Sequence, residues 1–359
     1  MNRRAFLAAA ALVTVRRTVR LEAAARQPQR SAPVIDGLGE IHPDYPDSLL
    51  DEILATGMRC CVVTVGNPAL QGAEAFDDMR REIEAYERHI ARKPDRLSRV
   101  RATSDIDASV GKRTLGLLYY TQNASPLQDR AERLDDLYRL GVRIVQLTYN
   151  TRNLLGDGCL ERTDSGLSRF GVEVIERMNA ARMLVDVSHC GGATTLDGIR
   201  LSKAPVAITH AGCKAVYDHP RNKTDEALKL MADRGGVIGI FQINPYLGAK
   251  ERNTLDDYLR HVDHAVKVAG IDHVGIGSDR EHRTIPDTEE EKQKLIEELS
   301  RLRPVTAATF RWPFFIGELN HPRRMETIAA ALSTRGYTAA QVEKIMGGNF
   351  YRLFRETVG

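Results

Sequence analysis

Three things are scarce in this chain of 359 residues: a surplus of one charge, cysteine spacing suited to disulfides, and an apolar run long enough to cross a bilayer. Lys and Arg number 51 against 48 Asp and Glu, so the net charge of +3 offers no field that argues for nucleic acid. The five cysteines, Cys60, Cys61, Cys159, Cys190 and Cys213, form no disulfide framework and read as small packing residues. The uncharged stretch that ends at Val15 is too short for a permanent membrane span. No fixed-period repeat occurs, and the alanine-rich start is the one biased tract.

That start carries information of its own. Asn2-Arg3-Arg4-Ala5-Phe6-Leu7 precedes the apolar stretch, and Ala23-Ala24-Ala25 offers small residues for cleavage. The pattern is that of a twin-arginine export leader over residues 1–25, which places the mature chain in the periplasm or outside the cell. Arg16, Arg17 and Arg20 blur the cleavage site and leave a frayed amphipathic helix as the alternative. Residues 26–359 are expected to form one domain.

Within it, short apolar runs alternate with helical patterns. Strands are expected at residues 33–36, 59–64, 114–120, 142–148, 183–187, 205–209, 237–241 and 273–277, and helices at 48–56, 73–92, 127–140, 166–181, 194–203, 224–234, 256–269, 288–298, 325–332 and 339–354. Gly141 stands where a helix C-cap belongs, and Thr224-Asp225-Glu226 is an N-cap pattern. Parallel strands require such crossovers, and eight of them make a (β/α)8 TIM barrel, an α/β fold. The segment 309–324, with the single tryptophan and two adjacent phenylalanines, is expected to be a lid, a subunit contact or core.

In such barrels the ligand site collects at the C-terminal ends of the strands. His189 and His210 end consecutive strands there, and Glu40, Gln122, Tyr149 and Asp279 end others, with Arg221 just beyond. A lone strand-end histidine is more often structural, but two with the same placement suit a shared Zn²⁺. Such a cation polarises a carbonyl and acidifies bound water, Asp279 is placed to move a proton, and Arg221 offers a two-pronged donor for a carboxylate. Taken alone, Asp279 also has a lesser reading as a helix cap, and Arg221 an equal one as a surface ion pair.

The runs VDVSHCGGATTLDGI, APVAITHAGCKAVYDHPRN, DHVGIGSD and VEKIMGGNFYRLF, in that order, resemble the renal or membrane dipeptidase family, zinc hydrolases of the amidohydrolase superfamily. The resemblance implies an amidohydrolase-like barrel that cleaves dipeptides with a free carboxylate. It also implies His189 and His210 as metal ligands, Asp279 as the acid/base, Arg221 as the carboxylate anchor, and homodimers. Other positions depart from the family. Its first strand ends in Asp-Gly-His-x-Asp, whereas this chain has Asp36-Gly37-Leu38-Gly39-Glu40, and Leu38 cannot ligate. A bridging glutamate is replaced by Gln122, and the histidine facing the reacting carbonyl by Tyr149, with Asn150 beside it for substrate. The expectation is therefore at most one Zn²⁺ per chain, on His189 and His210 with help from Gln122, Glu40 or Asp279. Two readings stand: an exported mononuclear hydrolase of a dipeptide or related amide, and a degenerate barrel that binds a small carboxylate ligand or serves as an accessory protein.

Overall fold

Short buried runs of Val, Ile and Leu pair in parallel once helices carry the chain back to the starting edge. The computed structural model describes residues 32–300 and 310–359. Its single parallel sheet contains β1 (Val34–Asp36), β2 (Met58–Thr64), β3 (Leu97–Val100), β4 (Leu115–Thr121), β5 (Ile144–Gln146), β6 (Leu184–Asp186), β7 (Ala207–Ala211), β8 (Val237–Ile240) and β9 (Val274–Ile276). Eight strands follow the order β1-β2-β4-β5-β6-β7-β8-β9, while β3 pairs with β4 off this path. The Gly37 N–H donates to the Ile276 carbonyl at 2.7 Å and the Asp279 N–H to the Leu38 carbonyl at 2.9 Å, so the two edges meet. The result is a nearly closed eight-stranded barrel wrapped by helices, the expected fold class.

Alternation along each strand sorts the side chains. Ile35, Cys60, Val62, Leu118, Ile144 and Val237 gather in one buried cluster with Phe350, while Cys61, Val63 and Leu117 pack in the larger cluster with the helices. The Phe350 ring occupies space that a Cβ at Gly37 or Gly275 would need, approaching within 2.3 and 2.7 Å. A similar squeeze operates where β7, β8 and β9 meet. A Cβ at Gly277 would lie 1.8 Å from the Thr209 carbonyl, and one at Gly239 2.1 Å from it. These glycines draw the strands together around the residue that precedes His210.

All eight expected strands are present within two residues of their expected bounds. Gly141 closes its helix at φ 99°, and the Thr224 hydroxyl accepts the Ala227 N–H as an N-cap. Other features differ from expectation. Strand β3 and the helix Thr103–Lys112 had no counterpart, because Leu-Ser-Arg-Val buries only its end residues and so lacks an apolar run. The helix expected from residue 127 starts at Arg133, after a 3₁₀ turn at Ser125–Leu127 that ends with Gln128 at φ 56°. The last helical stretch is broken by a wide turn, Lys344–Gly348, where a Cβ at Gly347 would sit 2.0 Å from the Pro33 carbonyl. Glycine there lets the closing helices press on β1. The expected leader lies outside the described residues, among which no helix is long and apolar enough to cross a membrane.

Candidate active site

The barrel brings the strand-end residues to one cavity of about 580 Å3, lined by Glu40, Gln122, Tyr149, His189, Arg221 and Asp279, with His42 and Asn150 alongside. Its most informative contact is between two imidazoles. His189 Nε2 and His210 Nε2 face each other at 2.8 Å. The far nitrogen of each ring is engaged: His189 Nδ1 lies 2.8 Å from the Asn150 carboxamide oxygen, and His210 Nδ1 lies 2.8 Å from the Thr209 hydroxyl. That hydroxyl donates to Asp186 at 2.9 Å, so it accepts from His210, just as the Asn150 oxygen accepts from His189. The two Nε2 atoms thus converge on one place. At this distance one of them donates to the other, and a cation held by both would open the spacing to about 3.3–3.4 Å. Burial, with Arg221 and Lys223 nearby, holds His210 well below the usual imidazole range, so it offers a neutral ring as a metal ligand must.

Asp186 organises this arrangement from beneath. Its buried carboxylate accepts from the Tyr120 hydroxyl at 2.6 Å, the Ser188 hydroxyl at 2.6 Å and the Thr209 N–H at 2.9 Å. With those donors it fixes the turn that carries His189 and the hydroxyl that orients His210. It was not among the expected site residues, since one aspartate inside Val-Asp-Val-Ser-His looks like any strand terminus.

Asp279 stands 4.0 Å from His210 Nε2, at φ 56°, with its carboxyl one-fifth exposed to the cavity. Burial pushes its pKa up to about 7, against the opposing pull of Arg221. A carboxyl there can both take and release a proton near neutrality. It caps no helix. Arg221 is buried and its guanidinium is aimed by two carbonyls, Ser188 at 2.7 Å and His210 at 3.3 Å, so it is not a surface ion pair. The Tyr149 ring stacks on His189 with centroids 4.2 Å apart.

The remaining expected residues sit in the cavity but are differently employed. The Gln122 amide donates to the Thr64 hydroxyl at 2.9 Å. Glu40 pairs with His42, Oε2 to Nε2 at 3.4 Å, and Glu281 approaches the same nitrogen at 3.8 Å. Burial works against a charged His42, yet Glu40 and Glu281 outweigh it and push its pKa up to about 9. Leu38 is buried in the barrel core. Asn150, expected to touch substrate, holds the His189 ring. Lys223, buried and pushed down to about 8 by that burial, donates to the Cys190 carbonyl and the Thr195 hydroxyl, both at 2.8 Å. Burial also raises the Cys190 and Cys213 thiols, which stay protonated as packing residues. Phe314 and Phe315, from the segment expected as a lid, a subunit contact or core, form part of the cavity wall.

The model of the membrane dipeptidase family, peptidase family M19, matches residues 49–311, well over half of the chain. The chain belongs to the membrane dipeptidase family. Among solved structures, an amidohydrolase from Pseudomonas aeruginosa is 31% identical with a TM-score of 0.79, over 91% of this chain and 96% of that one. A Rhodobacter sphaeroides metallopeptidase liganded with a phosphinate mimic of L-Ala-D-Ala shares the fold at a TM-score of 0.74 and 18% identity, over 91% of this chain and 99% of that one. Dipeptidase VerJ of Clonostachys rogersoniana is 34% identical over 57% of this chain, a match that spans about half (53%) of VerJ's own length. In this membrane dipeptidase family member His189, Arg221 and Asp279 line one cavity, and His210 is buried against His189.

Proposed function

We propose that the protein is an exported metal-dependent hydrolase that cleaves a dipeptide, or a related amide with a free C-terminal carboxylate. The convergence of the His189 and His210 Nε2 atoms beside the Asp279 carboxyl is the observation that carries this reading. The donor set fits Zn²⁺, since both imidazoles have their Nδ1 hydrogens held by oxygen acceptors, the usual support for zinc-binding histidines. His189 and His210 would hold the ion, with Asp279 nearest as a carboxylate. When bound, zinc supplies Lewis acidity toward the scissile carbonyl and lowers the pKa of water.

The chain's own groups do the rest. Arg221, held rigid by two backbone carbonyls, keeps donors for the substrate carboxylate and so fixes the amide over the imidazole pair. Asp279, with its carboxyl near pKa 7, accepts the proton released as water attacks and returns it to the departing amine. Tyr149, stacked on His189, places a phenol at the cavity wall where an oxyanion donor is needed. Replacing Asp279 by Asn tests the assignment: turnover of dipeptides is expected to fall at least a hundredfold while zinc content and melting temperature stay close to the parent's. Unchanged turnover in D279N would eliminate the role.

A barrel that binds a carboxylate ligand without turnover is the second reading, favoured by Leu38 and by the Gln122 amide being engaged with Thr64. Release of free amine from a dipeptide panel, with and without added Zn²⁺, separates the two. Export is inferred from the Arg3-Arg4 leader; periplasmic accumulation of a variant with both arginines changed to lysine would refute the twin-arginine route.

A further inference from the structure

Arg221 fixes more than one end of a substrate. The side chain of a C-terminal residue leaves the same carbon as the carboxylate, so a carboxylate held by Arg221 sets that side chain against whatever surrounds the guanidinium. What surrounds it is a run of rings. The Arg221 guanidinium lies 5.7 Å from the centre of the Phe241 ring. From there the ring centroids follow one another, Phe241 to Tyr246 at 5.6 Å, Tyr246 to Phe314 at 6.3 Å, and Phe314 to Phe315 at 5.2 Å. Leu295 and Leu299, one turn apart on the helix Glu289–Ser300, line the same cavity.

Backbone pairing holds this wall in place. Phe315 bridges to Ile243, the Asn244 N–H donates to the Phe314 carbonyl at 2.8 Å, and the Asn244 amide donates to the Pro313 carbonyl at 2.7 Å. Against the Phe315 ring stands the guanidinium of the fully buried Arg280, 4.2 Å from the ring centroid. Phe314 is packed away, whereas Phe315, Leu295 and Leu299 are partly buried and keep apolar surface toward the cavity. Charge is placed elsewhere or is already matched. Glu40, Asp78 and Glu82 belong to the loop after β1 and to the helix Gly72–Arg92 that follows β2. On the helix of the two leucines, Glu291 pairs with Arg283, while Lys294 and Glu297 are exposed. At about 580 Å3 the cavity has the size that holds a drug-sized ligand, which leaves room for a bulky side chain.

We propose that Phe315, Leu295 and Leu299 form the subsite for the side chain of the substrate's C-terminal residue and select a large apolar or aromatic one. The inference rests on the reading of Arg221 as carboxylate anchor and names the substrate class for it: dipeptides ending in Phe, Tyr, Leu or Met rather than in Gly, Ala or a charged residue. A fixed apolar wall discriminates through lost burial, and each methylene missing from such a pocket weakens recognition about tenfold or more. It rejects a charged side chain through the cost of removing that charge from water.

Equilibrium binding tests the subsite without turnover. The zinc-loaded full chain carrying D279N is titrated by calorimetry with Gly-Gly, Gly-Ala, Gly-Leu, Gly-Phe and Gly-Lys, and with the reversed peptides Ala-Gly, Leu-Gly and Phe-Gly. Gly-Phe is expected to bind at least about tenfold more tightly than Gly-Ala, with the reversed series nearly flat. Adding F315A should cut the Gly-Phe to Gly-Ala ratio to about threefold or less. L299A, which leaves the ring on Arg280 in place, should lower the ratio as well and decides the matter if F315A fails to fold. A ratio near one in D279N, a ratio that the added substitutions leave unchanged, or a preference for Gly-Lys would overturn the proposal. So would an F315A-sensitive preference in the reversed series, which would give the wall to the N-terminal residue, or the absence of binding by every peptide. The hydrolase reading is judged separately, by amine release from the same peptides with the parent: no turnover beside an intact binding pattern removes the catalyst and keeps the subsite.

Discussion

His261 makes a prediction whose size follows from the structure. The residue is completely buried beneath the loop after β7, with Nδ1 accepting the Cys213 N–H at 2.9 Å and Nε2 donating to the Leu247 carbonyl at 3.0 Å. Only the neutral ring with its hydrogen on Nε2 satisfies both partners, because a proton on Nδ1 would confront the Cys213 N–H. Burial, partly offset by the Leu247 carbonyl, pushes the pKa down to about 4 from 6.5. A base with a depressed folded pKa leaves stability intact above its unfolded value of about 6.5 and removes it as pH falls toward about 4, since only the unfolded chain takes the proton. At about 1.4 kcal/mol per unit, the loss across that window is about 3 kcal/mol. His261→Asn keeps an acceptor for Cys213 and abandons the Leu247 carbonyl, at a cost of about 1–3 kcal/mol near pH 8. Thermal and urea melts of parent and H261N from pH 8 to pH 4.5 supply the comparison. The stability gap between them is expected to shrink, or reverse, as the pH falls. Groups common to both proteins, such as the equally buried His282, cancel in that difference. Parallel curves would show that His261 takes no part in acid lability and that the assigned tautomer is wrong.

Arg221→Lys replaces a fork aimed by two carbonyls with a point charge, so the substrate KM should rise about tenfold or more with a smaller change in kcat, measured by steady-state kinetics on dipeptides. Asn150→Gly tolerates the positive φ of 52° but removes the acceptor on His189, and zinc affinity measured by competition with a chelator should fall about 10- to 100-fold. Gly277→Ala forces a Cβ to within 1.8 Å of the Thr209 carbonyl, so the variant should accumulate poorly or melt at least several degrees lower than the parent.

How much of this the sequence disclosed depends on the kind of residue asked about. Buried parallel strands are continuous apolar runs, and all eight barrel strands could be placed because burial on both faces leaves such a run. Strand β3 was invisible for the same reason, since its central Ser98 and Arg99 are only partly buried. Helix edges were lost where backbone conformation rather than pattern decides, as at Gln128 with its positive φ.

At the site, strand-end position located His189, His210, Asp279 and Arg221 beside one another, because a group that must reach a cavity leaves the strand at a fixed place. The supporting residues followed no such rule. Asp186 and Thr209 orient His210 through a hydroxyl relay that depends on β6 and β7 lying side by side. Asn150 reaches His189 across 39 positions of chain. A ligand can be recognised by what it offers to solvent, whereas its support is defined by what it offers to another side chain, which exists only after folding. The same distinction explains His42. In the sequence it follows Glu40 in an irregular loop; in the barrel, Glu281 arrives from beyond β9 and closes a three-donor group that no local pattern contains. The Glu40–Glu281 bridge is what joins the loops after the first and last strands, so barrel closure itself assembles this group.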